Sequence, residues 1–400
     1  MKQSQDHLLV THVGSLPRSD GLLEMLVAAN EGRLADREEF RERVLADTEG
    51  MIRNQVGSGV DIGSDGELPR LGFQLYVKDR MTAGFGGATR RDILSDFHDF
   101  PGYAELKLGS SYAGNEEGLI DAATLYEMPA AVDRVEYDPD LTAVKEELGL
   151  FSQALEHTGP DAQLTETFVT AATPGIVSTT MLRADDNPAY ATDRDYVLDL
   201  AQNLKREYEY IVSQGHVLQL DAPDLAMERQ GLFRGRPLSE FLVRVETHVE
   251  AINLAIADLP KDRVRLHVCW GNWDGPHVND VELSEVIRLI YKAEVGALSI
   301  PTANPRHEHE WKVFRDNPLP DDKILLGGVI DVTTNYVEHP ELVADRLTRL
   351  AEAVGPQRLI ASTDCGFGSY AGFKMVADDV VWAKLRALSD GAAIASERLF

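Results

Sequence analysis

The sequence predicts an α/β fold, a single (β/α)8 TIM barrel with an insertion after its second strand. Three observations predict it. Eight strand-like runs alternate with amphipathic helical patterns over 400 residues, which argues for βα units on a parallel sheet and, at that number and length, for a barrel. Ser15, Glu67, Asp221, His267, Cys269, Asp331 and Cys365 all fall at the C-terminal ends of those runs, the end on which such barrels carry their active sites. The first run leads into THVGSLPRS rather than GxGxxG, which argues against a doubly wound open sheet.

The runs are Leu8–Ser15, Val60–Glu67, Ala162–Phe168, His216–Pro223, Arg263–Gly271, Ala297–Thr302, Ile324–Asp331 and Arg358–Gly366. Each closes in Gly, Ser, Asp or Pro, or in a loop rich in them. Apolar residues spaced three and four apart mark helices over Arg37–Val56, Tyr196–Gln214, Leu238–Ala257, Leu283–Glu294, Pro340–Val354 and Asp378–Leu388. Residues 70–160 break the rhythm with GFGG (84–87), GYAELKLGSSYAG (102–114) and apolar–acidic alternation around Ala131–Tyr137. That stretch is expected to form a hairpin or lid over the barrel mouth, within one domain spanning 1–400.

Composition narrows the class. An apolar fraction of 44% is that of a folded soluble chain. MKQSQDH has no apolar core of a signal peptide, and no apolar run reaches the ~20 residues needed to span a bilayer. The two cysteines are too few for a disulfide scaffold, so a reducing, cytoplasmic setting is expected. A net charge of −27 repels phosphate backbones and anionic lipid, so neither nucleic acid nor membrane is an expected partner. Homodimerisation is left open.

The stretch RLHVCWGNW, residues 265–273, carries the strongest chemical signal. Strand side chains alternate faces, so His267 and Cys269 project together. Cys365 in LIASTDCGFG ends another apolar run. One imidazole and two thiolates make the protein ligand set of a catalytic zinc site with a position open to substrate; a Cys269–Cys365 disulfide is the alternative. In THVGSLPR, Gly14 and the Ser15 hydroxyl could receive a carboxylate. In DIGSDGELPR, Asp65 and Glu67 stand near Arg70 and suit an ammonium or acid–base work. Asp221 in LQLDAPDLAMER also suits an ammonium, while Asp224 reads as a helix cap. NPRHEHEW gathers His307, Glu308, His309 and Glu310, readable as ligands or as a polar loop paired with Arg306.

Taken in order, THVGSLPR, the GE of SDGELPR, LQLD, HVCWGN, ANPRHEHEW, GVID and TDCGFG resemble the cobalamin-independent methionine synthase family, in particular its short, single-barrel members. The resemblance implies a barrel with a catalytic Zn2+ held by His267, Cys269 and Cys365. It also implies an amino-acid pocket, with Ser15 for the carboxylate and the catalytic carboxylates Glu67 and Asp221 for the ammonium. The expected reaction is transfer of a methyl group from a small-molecule donor, a folate in this family, to a homocysteine-type thiol. Two positions depart from the pattern. Pro301 stands where the family has a zinc-binding Glu, so the zinc would have three protein ligands, or Glu308 or His307 would have to swing in. Thr333 stands where the family has a proton-delivering His, with His339 a distant substitute. The short members also resemble epoxyalkane:coenzyme M transferases, in which a thiol adds to an epoxide; a sulfonate thiol would need a basic pocket, for which Arg18, Arg70 and Arg229 are candidates. A metal-free barrel of the uroporphyrinogen decarboxylase type, or a binding module, is the remaining alternative.

Overall fold

A computed structural model describes residues 1–90, 95–108 and 127–400. Its strands are β1 (Ile62–Gly63), β2 (Met81–Arg90), β3 (Glu127–Tyr137), β4 (Glu166–Ala172), β5 (Val217–Asp221), β6 (Val264–His267), β7 (Ala297–Pro301), β8 (Ile324–Ile330) and β9 (Leu359–Thr363). Seven of them form a parallel sheet in the order β1-β4-β5-β6-β7-β8-β9, while β2 and β3 pair as a separate antiparallel hairpin. The first expected run shrinks to isolated bridges: Val10 pairs with Ala361 of β9, and Thr11 with Ile62 of β1. Leu9–Thr11 is thus bonded to both edges of the sheet, with Thr11 N–H to Ala361 O at 2.8 Å and Ile62 N–H to Val10 O at 3.1 Å. The sheet curls accordingly.

Strands β5 to β9 are buried at every position, as parallel strands covered on both faces must be. Outward residues join one large core with the helices. Inside, Leu9, Ile62, Phe168, Val217, Ala297, Ile324, Leu326 and Ile360 form a separate apolar plug from the early part of the strands. Strand β6 adds nothing to this plug; Arg265 stands in its layer, paired in register with Gln219 and Ala297.

The helices follow their local chemistry. Asp36 caps Arg37–Gly57 through the N–H groups of Glu38 and Glu39, and Thr192 with Asp195 forms a capping box ahead of Asp193–Ser213. Pro340 opens Pro340–Val354 over the expected span. The last helix runs on to Leu399, and Leu283–Ile290 stops four residues short of expectation. Helices Asp20–Asn30 and Pro174–Thr180 were not expected.

Between β1 and β4 the chain leaves the parallel sheet and returns. GFGG lies in β2 and Ala131–Tyr137 in β3, with helices Ser95–Asp99 and Pro101–Leu108 between the strands. Of GYAELKLGSSYAG, residues 109–114 lie outside the described residues. Thr142–Thr158, inside the 70–160 stretch, is a helix packed beside Arg37–Gly57 in the outer layer; Val144, Leu148, Phe151 and Ala154 face the core. A buried ionic chain ties the excursion down. Glu147 joins Arg70 and Arg80, each at 2.5 Å, and Arg80 reaches Glu207 at 2.7 Å. Glu207 also accepts from Tyr76 at 3.0 Å and from Tyr137. Both guanidinium groups lie 4.2 Å from the Tyr76 ring. Removing one partner leaves uncompensated buried charge, which typically costs about 3–5 kcal/mol. Glu147→Gln is therefore expected to lower the urea unfolding free energy by about 3 kcal/mol or more; a loss under about 1 kcal/mol would show the chain to be dispensable.

Candidate metal and substrate site

Strands β6 and β9 end at His267 and Thr363, and Cys269 and Cys365 follow two residues beyond those ends. A donor atom from each of His267, Cys269 and Cys365 lies within 4.8 Å of the others. Both cysteines are free thiols, which sets aside the disulfide. His267 is buried; its Nδ1 lies 3.3 Å from Ser299 Oγ on β7, and its Nε2 has no hydrogen-bond partner. The Cys365 thiol donates to Cys269, which lowers the Cys269 pKa, as does the neighbouring imidazole, and raises that of Cys365. Burial opposes protonation of His267, but the Cys269 sulfur outweighs it and raises the imidazole pKa. Two cysteine sulfurs beside a buried imidazole, all within 4.8 Å, form a donor set that fits zinc. Gly271 makes the turn after Cys269 at φ 101°, where a Cβ would fall 1.8 Å from the Trp273 ring.

The carboxylates gather beside this cluster. The register sets Asp221 directly across from His267. Glu67, at φ 57°, turns its side chain towards Gly14, where a Cβ would lie 2.7 Å from Glu67 Oε1. Burial pushes Glu67 up to about 8 and Asp221 to about 6, and the charge of Asp221 adds to the rise at Glu67. Asp65 is also pushed to about 6 by burial, and accepts from the Glu67 N–H at 3.0 Å. Glu67 Oε2 is buried without a partner. Ser15 Oγ accepts from Gly368 N–H at 3.3 Å, and a Cβ on Gly366 would fall 2.0 Å from it, so Ser15 sits next to the Cys365 loop.

The expected arginines are committed elsewhere. Arg70 does not pair with Glu67: it donates to Thr170 and Glu147, because Glu147 is brought in by the helix Thr142–Thr158. Arg18 donates to the carbonyls of Gly368 and Glu67, and Arg229 to those of Phe233 and Arg236. Asp224 does not act as a simple cap; buried, it accepts from Thr173 at 3.0 Å and meets His248 at 2.7 Å.

The two departures are also built differently from expectation. After Pro301, the N–H groups of Thr302, Ala303 and Asn304 converge on Asp364 at 3.0, 2.9 and 2.8 Å. Burial and the charge of Asp331 still push Asp364 to about 8. Neither alternative ligand swings towards the cysteines. Glu308 meets Arg346 and Arg349, each at 3.2 Å. His307 bridges Glu310 at 2.8 Å and Asp280 at 2.9 Å, stacked on Trp270 at 3.8 Å. His309 is exposed, 3.5 Å from Glu282. Thr333 donates to Asp331 at 2.9 Å, and His339 accepts from Glu341 N–H at the start of its helix. Residues that the sequence reading missed are Ser299, Gln219 and Arg265. The last two stand two positions before Asp221 and His267, so strand alternation alone would have placed them on the same inward face.

Residues 169–387, more than half the chain, match the family model described as the catalytic domain of the cobalamin-independent synthase. A methionine synthase from Saccharolobus islandicus is 23% identical over 98% of this chain and 96% of its own length. One from Sulfurisphaera tokodaii is 24% identical over 98% and 94%. Among solved structures, a B12-independent methionine synthase from Shewanella sp. W3-18-1, in complex with selenomethionine, shares the fold with a TM-score of 0.69 at 19% identity, over 98% of this chain and 99% of the other. A putative vitamin-B12 independent methionine synthase from Listeria monocytogenes gives 0.62 at 17% identity, with the same coverage.

The His307 clasp sets a pH dependence. Burial works against the imidazolium, but Asp280 and Glu310 raise His307 from 6.5 to about 9. A raised histidine pKa stabilises the fold fully below about pH 6.5, and that contribution fades as pH rises through about 9. Calorimetric Tm values should therefore separate wild type from His307→Gln widely at pH 6 and narrowly at pH 10. An equal separation at both would show that the clasp acts without charge.

Proposed function

This chain belongs to the cobalamin-independent synthase family, and on that premise we propose that it transfers a methyl group to the sulfur of homocysteine or a close amino-acid thiol. The observation that carries the reading is the convergence of His267, Cys269 and Cys365 within 4.8 Å beside two buried carboxylates. The three residues would hold Zn2+, and a zinc ion bound there would keep a substrate thiol deprotonated, hence nucleophilic, at neutral pH.

The protein's own groups do the rest. Neither the Asp221 nor the Glu67 carboxyl makes a hydrogen bond to a cationic side chain among the described residues, and burial raises both, Glu67 to about 8, so that Glu67 holds its proton near neutral pH until a cation arrives. A substrate ammonium would relieve both, since buried charge demands a counter-charge. Ser15, against the Cys365 loop, would receive the substrate carboxylate together with the backbone N–H groups around it. The thiol would then point at the metal ligands. The arginines that a sulfonate thiol would need are spent on carbonyls and on Glu147, which favours an amino-acid thiol over coenzyme M. Thr333 offers no proton donor of histidine's strength, so a methyl donor whose leaving group needs no proton from that position fits better than a folate. Leu9–Thr11 serves as the eighth stave of the barrel. The described residues of the excursion within 70–160 would serve as a lid, docked on the loop after Cys269 by His277 N–H to Asp96 at 2.9 Å and Lys107 to Asp274 at 2.5 Å. A reducing cytoplasm suits the two free thiols.

Protein purified under reductant is expected to hold about one zinc per chain by elemental analysis, lost in Cys365→Ser. Cys269→Ser is expected to abolish homocysteine methylation while leaving the far-UV circular dichroism unchanged. A zinc-free wild type that resists loading would sink the proposal in favour of a metal-free barrel.

A further inference from the structure

The least expected group inside the barrel is Arg265. It is 1% exposed, on the strand that supplies His267, in the layer that the other strands fill with apolar side chains. None of its hydrogen bonds goes to a carboxylate. Its Nε donates to Gln219 Oε1 at 2.8 Å, one terminal nitrogen to Thr11 Oγ1 at 3.2 Å, and the other to His12 O at 3.0 Å. Its guanidinium carbon lies 3.5 Å from the Phe168 ring centroid. A buried guanidinium kept at such cost calls for a role.

Gln219 supplies the link. Its amide nitrogen donates to Asp221 Oδ1 at 2.8 Å and to Val13 O. A guanidinium can only donate and a carboxylate can only accept. With Arg265 on one side and Asp221 on the other, the amide has one satisfactory orientation: oxygen towards Arg265, nitrogen towards Asp221. The register makes this local, since Gln219 pairs with Arg265 and Asp221 with His267.

We propose that Arg265 is a positioning residue for the substrate amino group, acting through the fixed Gln219 amide to orient the Asp221 carboxylate and to place a compensating positive charge beneath it. Without Arg265 the amide oxygen loses its donor, and only the two acceptors of the amide nitrogen, Val13 O and Asp221 Oδ1, still hold Gln219 in place, so the carboxylate is oriented less firmly and loses the positive charge beneath it. The inference rests on the reading of the thiol as an amino acid, because Asp221 matters here only if an ammonium group binds it.

The test compares L-homocysteine with 4-sulfanylbutanoate, the same thiol acid without the amino group, by calorimetric titration of the zinc-loaded enzyme. Wild type is expected to prefer homocysteine by about tenfold or more. Arg265→Met should remove most of that preference by weakening homocysteine alone, with the analogue's Kd changed less than about twofold and zinc content unchanged. Arg265→Lys should restore part of it. If Arg265→Met fails to fold, Gln219→Leu breaks the same chain one link later and should give the same selective loss. Equal weakening of both ligands, or no weakening of either, would overturn the role of Arg265. A wild type that binds both ligands equally would instead overturn the amino-acid reading and take this inference with it.

Discussion

Charge taken out of water must be answered by charge or by hydrogen bonds, and the inside of this curled parallel sheet is arranged around that constraint. Asp65, Glu67, Asp221, Arg265 and His267 are all nearly inaccessible, yet the side chains do not pair off as salt bridges. Arg70 and Arg80 are consumed by Glu147 and Glu207, and Arg18 by backbone carbonyls. Glu67 and Asp221 are therefore left without a cationic side chain in hydrogen-bond contact among the described residues. The excursion after β1 contributes to this outcome, since its anchoring network draws Arg70 away from the mouth.

Much of the fold was legible because parallel strands announce themselves as short apolar runs with polar ends. Seven of the eight expected runs carry sheet strands, and Pro340–Val354 spans its expected residues. The first run was over-read: only Leu9–Thr11 makes ladder bonds to β1 and β9, and the next backbone bond from the run is Ser15 O accepting from Phe367 N–H, beyond the end of β9. Thr142–Thr158 was hidden inside a stretch whose glycines and alternation suggested small strands. Its apolar face is clear only once Arg37–Gly57 is there to receive it.

The site was legible in part, and for a chemical reason. Cysteine and histidine are rare enough here that two strand ends bearing them stand out, and the structure brings all three donors together. The sequence could not say where each arginine would be spent, because an arginine's partner is set by tertiary packing. Nor could it separate His307 as a ligand from His307 as a clasp between Asp280 and Glu310. At 23% identity to the Saccharolobus islandicus relative, a motif fixes position more firmly than role. Pro301 shows this: the turn after it is organised by three N–H groups on Asp364, with the metal-facing carboxylate of the family pattern left out.

The seam made by Leu9–Thr11 has a kinetic consequence. Val10 meets Ala361 across 351 positions of chain, and at roughly 5–20 residues per second a ribosome needs roughly 20–70 s to travel that far. Until then the first segment has one edge without a neighbour, and the loops bearing Ser15 and Cys365 stand apart. A nascent chain stalled short of the last strand would carry His267 and Cys269 but lack the second thiol. The three donor side chains are thereby brought together only at the last stage of synthesis.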